Sequence, residues 1–127
     1  MKEKNTVFYK CLACGTVIGL IEGNINNIKC CGKNMERLDA NISEGAKEKH
    51  IPVYRKSEDD IVVNIGEIEH PMEKEHYIQW VAQVSDNQTT RIRLYPEQNA
   101  EVRFRYIPQS TIYAYCNKHG LWKTKVE

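Results

Sequence analysis

A chain of 127 residues holds one ordinary domain, or one domain with a very small appendage. Its 41% hydrophobic and 28% charged residues exclude a disordered chain, and a net charge of +1 gives no reason to expect nucleic acid as a partner. No apolar run approaches the roughly 20 residues that a membrane helix needs, so no membrane association is expected.

Residues 1–38 read as a separate small unit. The opening MKEKNTVFYK has no apolar stretch of the secretory kind, so a cytoplasmic location is expected. In that reducing compartment an odd number of cysteines, five, points to metal ligation or thiol chemistry and away from disulfides. Val7–Lys10 is predicted as a strand running into Cys11, and 17–21 as its return. Gly15 and Gly32 follow the two cysteine pairs, where glycine allows a tight turn with amides aimed at the sulfurs. The unit has few large apolar residues to bury, among them Val7, Phe8, Tyr9, Leu12, Ile18, Leu20 and Ile28, so a metal staple is expected. The polar stretch 41–49, with Gly45, reads as a linker.

Residues 39–127 form the second predicted domain. Ile61–Ile65 is a β-branched run. In 77–84, Ile78, Trp80, Ala82 and Val84 alternate with Tyr77, Gln79, Val81 and Gln83. Ile92 and Leu94 alternate with Arg91 and Arg93, and Val102, Phe104 and Tyr106 with Arg103 and Arg105. Ile112, Ala114 and Cys116 share a face. Turn signals at 85–88, 96–99 and Pro108 separate these runs. Six or seven short strands with almost no helical periodicity predict a mainly β protein with an antiparallel β-sandwich. The four arginines read as its solvated face.

All five cysteines and all four histidines fall into two sets. Cys11, Cys14, Cys30 and Cys31 form a C-x-x-C followed by an adjacent pair, a tetrahedral thiolate set that zinc and iron both accept. Two neighbouring cysteines reach one ion only with S–metal–S angles bent from ideal, so a distorted site is expected. His50, His70, His76, Cys116 and His119 lie beside loops or strand ends. Imidazoles suit iron, copper, nickel and zinc, but five N/S donors exceed the four of structural zinc; an iron there, with one position open, would resemble a thiolate-ligated haem with imidazoles in place of the porphyrin. Glu48 and Lys49 immediately precede His50: the lysine would attract a small anion and the carboxylate would handle protons or supply a sixth ligand, unless the two are only a solvated pair. Lys118, between Cys116 and His119, either reinforces that field or is merely exposed.

FYKCLACG and IKCCGKNME resemble the desulforedoxin-like module; EKHIP, HPMEKEHYIQWV and YCNKHGLWK resemble the catalytic domain of superoxide reductases. Together they resemble the desulfoferrodoxin family along nearly the whole chain. The resemblance implies two iron ions per chain: a distorted Fe(Cys)4 centre at Cys11, Cys14, Cys30 and Cys31, and a square-pyramidal Fe(His)4(Cys) centre at His50, His70, His76, His119 and Cys116. It implies an immunoglobulin-like sandwich, a homodimer, and one-electron reduction of superoxide to hydrogen peroxide. Lys49 would draw in the anion, Glu48 would occupy the ferric iron's vacated position, and a donor such as rubredoxin would restore the ferrous state. The four-cysteine iron would relay electrons or serve structure alone. The competing expectations are a non-catalytic metal-binding or electron-transfer protein with a zinc-ribbon-like N-terminal module, and superoxide dismutation.

Overall fold

The computed structural model describes residues 6–23, 27–41, 47–66 and 70–127, with 47 and 48 in backbone alone. The chain divides into two compact units, Met1–Asp39 and Ala40–Glu127.

In the first unit β1 (Val7–Lys10) lies between β2 (Val17–Leu20) and β5 (Glu36–Arg37), antiparallel to both. A second ribbon pairs β3 (Lys29–Cys30) with β4 (Lys33–Asn34). Among the described residues only Thr6, Phe8 and Cys11 of this unit are buried. Leu12, expected among its apolar contacts, is 68% exposed; it lies in the turn that follows buried Cys11, where residues 12–16 are all exposed. So small a core cannot offset the chain entropy of about 40 residues by itself.

In the second unit the expected linker begins with Asn41, its amide donating to the Leu121 carbonyl at 2.9 Å, and ends in a helical turn α1 (Lys47–His50); residues 42–46 between them, including Gly45, lie outside the described residues. Seven strands follow: β6 (Pro52–Ser57), β7 (Asp60–Ile65), β8 (Ile78–Val84), β9 (Thr89–Arg93), β10 (Glu101–Arg105), β11 (Thr111–Cys116) and β12 (Gly120–Lys125). They make two antiparallel sheets, ordered β10-β7-β6 and β12-β11-β8-β9. This is the expected immunoglobulin-like sandwich, three strands on four.

Ile61, Val63, Ile65, Val102 and Phe104 of one sheet pack with Ile78, Val81, Ile112 and Ala114 of the other, all buried in one cluster with Leu94 and Val126. Each fully buried aliphatic side chain of this kind contributes roughly 1.5–3 kcal/mol. The alternation expected for β8 is interrupted. Trp80 pairs with Tyr115 but Ile78 pairs with Cys116, leaving Gln79 as an extra residue in a bulge. Ile78 and Val81 therefore share the core face, while Trp80 stacks on Tyr115 at 5.4 Å on the other. Buried Gln83 ties the sheets together by donating to the Arg105 carbonyl at 2.8 Å and to the Ser110 hydroxyl at 3.4 Å. Arg91, Arg93, Arg103 and Arg105 are exposed, and Arg103 pairs with Asp60 at 3.3 Å. No described helix is long and apolar enough to cross a membrane.

Candidate metal centres

In the first unit, C-x-x-C is a closed turn at the end of β1. The Cys11 amide donates to the Thr16 carbonyl and the Gly15 amide to the Cys11 carbonyl, both at 2.8 Å. The Gly15 amide, expected to face a sulfur, thus closes the turn instead. Opposite, the two-residue loop between β3 and β4 is Cys31-Gly32, both left-handed (φ 54° and 73°), as a type I′ hairpin turn requires. Glycine adopts that conformation without strain; Cys31 does not, and its unusual backbone is what turns two adjacent sulfurs toward one point.

All four sulfurs lie within 4.8 Å of one another. Cys14 and Cys30 are 3.6 Å apart and Cys30 and Cys31 4.0 Å, and no disulfide forms. A tetrahedron with metal–sulfur bonds of 2.3 Å has edges of about 3.8 Å, so the unequal spacings fit one slightly distorted tetrahedral ion. A hydrogen bond with the Thr16 hydroxyl at 3.0 Å is the main cause that lowers the Cys14 thiol to about 6. Hydrogen bonds with Cys11 and then Cys14 push Cys30 up to about 12, and a hydrogen bond with Cys14 is the main cause that raises Cys31. Once one sulfur is ionised, the others resist ionisation unless a cation joins them.

The second set is assembled from four separate places in the sandwich unit. His50 ends α1, whose backbone packs against Gly66: a Cβ at residue 66 would lie 2.5 Å from the Lys49 carbonyl carbon, and the Gly66 φ of 81° is left-handed. The Gly66 amide donates to the Ile51 carbonyl at 3.0 Å, so one glycine abuts the chain on both sides of His50. His76 closes a tight turn in which the amides and carbonyls of Glu73 and His76 exchange bonds of 3.0 and 3.1 Å. Cys116 ends β11 and pairs with Gly120, so that residues 117–119 form a three-residue hairpin turn carrying His119. Gly120, at φ 78°, lets it close.

The four imidazoles stand at the corners of a square. Successive ring centroids from His50 through His70, His76 and His119 back to His50 are 4.6, 4.8, 4.9 and 4.7 Å apart, with neighbouring planes 72–80° to each other. The diagonal from His50 to His76 is 6.3 Å. His119 Nδ1 lies 3.0 Å from His50 Nε2 and 3.9 Å from Cys116 Sγ, and all five donor atoms lie within 4.8 Å of one another.

Protonation and second contacts are arranged around that centre. His70, 2% exposed, donates its Nδ1 proton to the Pro71 carbonyl at 2.6 Å, which leaves the Nε2 lone pair facing inward. His70 Nε2 and His76 Nε2 are buried without a hydrogen-bond partner. A buried, unsatisfied lone pair costs on the order of 1–3 kcal/mol, and a metal cation relieves several at once. Burial lowers His70 to about 4 and lowers His76 too, so both rings are neutral and able to ligate at pH 7. Burial raises the Cys116 thiol, opposed by the Lys118 and His119 amides, which point at its sulfur. A metal cation completes the reversal to thiolate. Trp122, fully buried, stacks on His50 at 4.9 Å and donates its Nε1 proton to the His119 carbonyl at 3.0 Å.

Every residue of the two expected donor sets is therefore brought to its set. Lys49 is half-buried next to His50, and Lys118 is exposed, with its charge reaching His76 and Cys116. The side chain of Glu48 lies outside what the structure describes. Sequence reading gave no role to Gly66, Asn117 or Trp122. For Gly66 the chain offers no signal beyond the glycine itself, since its neighbour Lys49 is distant in sequence.

The desulfoferrodoxin family model matches residues 42–125. The desulfoferrodoxin of Syntrophotalea carbinolica is 40% identical over 126 residues, covering 98% of this chain and 99% of that protein. The superoxide reductase of Treponema pallidum superposes with a TM-score of 0.75 at 27% identity, covering 94% of this chain and 97% of that one. A one-iron superoxide reductase from Giardia intestinalis superposes with a TM-score of 0.56 at 26% identity, covering 64% of this chain and 99% of that one. The four-thiolate and four-imidazole-plus-thiolate sets match the two iron centres of desulfoferrodoxins. This chain belongs to the desulfoferrodoxin family.

Proposed function

We propose that the protein is a superoxide reductase, an oxidoreductase that converts superoxide to hydrogen peroxide with one electron and two protons and releases no dioxygen. The observation that carries this reading is the square of four inward-facing imidazoles with the Cys116 sulfur as fifth donor. Structural zinc takes four donors, whereas the five N/S donors here would suit a redox-active iron. Iron bound there supplies, in its ferrous form, the electron that reduces superoxide, and an electron donor restores it.

His50, His70, His76, His119 and Cys116 are the residues we assign to that iron, and Cys11, Cys14, Cys30 and Cys31 those of the Fe(Cys)4 centre. The 39 N-terminal residues then form the desulforedoxin-like domain and the sandwich the catalytic domain. His70 holds its inner nitrogen deprotonated through the bond to the Pro71 carbonyl. The Lys118 and His119 amides stabilise Cys116 as thiolate. Lys49, one residue from His50, draws the superoxide anion in and orders water for proton delivery. Glu48, two residues before His50 in the sequence, is the carboxylate that would handle protons or serve as a further ligand. The family resemblance supports a rubredoxin-type donor, a homodimer and a cytoplasmic location.

The test is metal analysis followed by a stoichiometric reaction. Two irons per chain are expected, with one hydrogen peroxide formed per superoxide consumed by the reduced protein. Two zincs per chain after expression in ample iron would favour a binding protein. Dioxygen release without added reductant would favour dismutation.

A further inference from the structure

The turn between β11 and β12 carries one side chain that belongs to neither donor set yet reaches far along the chain. Asn117 Oδ1 accepts from the Tyr77 amide at 2.9 Å, and its Nδ2 donates to the Glu75 carbonyl at 2.9 Å. The Asn117 backbone amide donates to the Tyr77 carbonyl at 3.2 Å. These groups flank His76 on both sides.

The sheet explains why such contacts are needed. Pairing between β8 and β11 ends at Ile78 and Cys116, just past the bulge at Gln79. Toward His76 the regular ladder stops at Ile78, two residues short of the histidine that must carry an imidazole to the centre. A side-chain amide has the same donor and acceptor as a peptide group. Asn117 thus continues the ladder beyond the strand's end, with its own neighbour Cys116 on one side and His76 held on the other.

We propose that Asn117 is a positioning residue that fixes His76 and Cys116 in one relative geometry. It touches neither donor atom and acts through the backbone that carries them. The inference rests on reading the five-donor set as an iron site. The side chain of Lys118, next in the turn, is exposed, and the two bonds that bracket His76 come from the side chain of residue 117.

The experiment uses the full-length, iron-loaded protein and two variants, Asn117→Ala and Asn117→Asp. The first removes both side-chain bonds. The second keeps an acceptor for the Tyr77 amide but sets a carboxylate oxygen against the Glu75 carbonyl. Two quantities are read: the energy of the Cys116 thiolate-to-iron charge-transfer band, and the rate at which a chelator removes the five-donor iron. Loss of an outer contact of this kind typically costs about 10- to 100-fold in metal affinity. Asn117→Ala should show that acceleration with a shifted band, Asn117→Asp a smaller change of the same sign, and the four-cysteine spectrum should be untouched in both. Bands and removal rates within twofold of the parent would overturn the proposal. So would equal iron loss from both centres, which marks general destabilisation. If Asn117→Ala does not fold, Asn117→Asp decides by the same criteria. A parent protein without iron at the five-donor set would remove the site itself, an outcome separate from indifference of the variants.

Discussion

The two metal-binding units solve one problem, holding several electron-rich atoms close together, in opposite ways. In the small unit the donors come from two turns at the ends of short ribbons, and only Thr6, Phe8 and Cys11 are buried among its described residues. The ion is there the missing part of the core. In the sandwich, eleven buried apolar residues besides Cys116 form a cluster that needs no metal, and the donors sit at its strand ends and turns. A scaffold that folds without its ion can hold it in a geometry the ion would not choose, and can leave a position open for chemistry. A scaffold that needs its ion gives it a closed tetrahedron.

The largest effect expected from this contrast follows removal of the first unit's metal. Structural sites of this type contribute on the order of 10–16 kcal/mol. Cys11→Ser should therefore abolish hydrogen-exchange protection at the amides of Val7–Lys10 while Ile61–Ile65 stay protected. Protection retained in both would show that the small unit folds without its staple. Next comes the converse change: Phe104→Ala, in the sandwich core, should cost about 3–5 kcal/mol in chemical denaturation of that unit. The four-cysteine spectrum should persist through the sandwich transition if the units are thermodynamically separate, and its simultaneous loss would contradict that.

Acid sharpens the same comparison. In metal-free protein His70 is held neutral, with its value lowered by burial from 6.5 to about 4. The unfolded chain then binds more protons than the folded one between those values. The sandwich should be fully stable with respect to this group above about pH 6.5 and lose stability as pH falls toward 4. A His70→Gln variant should flatten that slope, and an unchanged slope would assign the acid sensitivity elsewhere. Gly66→Ala addresses placement: a methyl group 2.5 Å from the Lys49 carbonyl carbon, on a left-handed backbone, must displace the turn that ends in His50. About 1–3 kcal/mol of destabilisation is expected, with a measurable shift of the five-donor iron's optical bands; bands identical to the parent's would show that His50 is placed by other contacts. The smallest effect belongs to Lys49→Ala. Superoxide association should slow by roughly tenfold or less at low salt, with a flatter ionic-strength dependence and iron retained. Unchanged pulse-radiolysis kinetics would take Lys49 out of the mechanism.

What the sequence by itself determined is the chemistry: which nine residues are donors, how they divide into four and five, and that short alternating strands make a sandwich. Those conclusions follow because metal chemistry is carried by few residue types and because strand alternation has a local period. The tertiary structure decided what depends on distant partners. The bulge at Gln79 exchanged the faces of β8, which no count of alternating residues reveals, since a bulge is defined only against the opposing strand. Leu12 is exposed in the turn after Cys11, although its residue type suggested a core position. The choice of nitrogen on each imidazole, the stacking of Trp122 on His50, the packing of Gly66 against Lys49 and the reach of Asn117 across His76 are all relations between segments far apart in the chain. Sequence names the ligands; only packing orients their lone pairs.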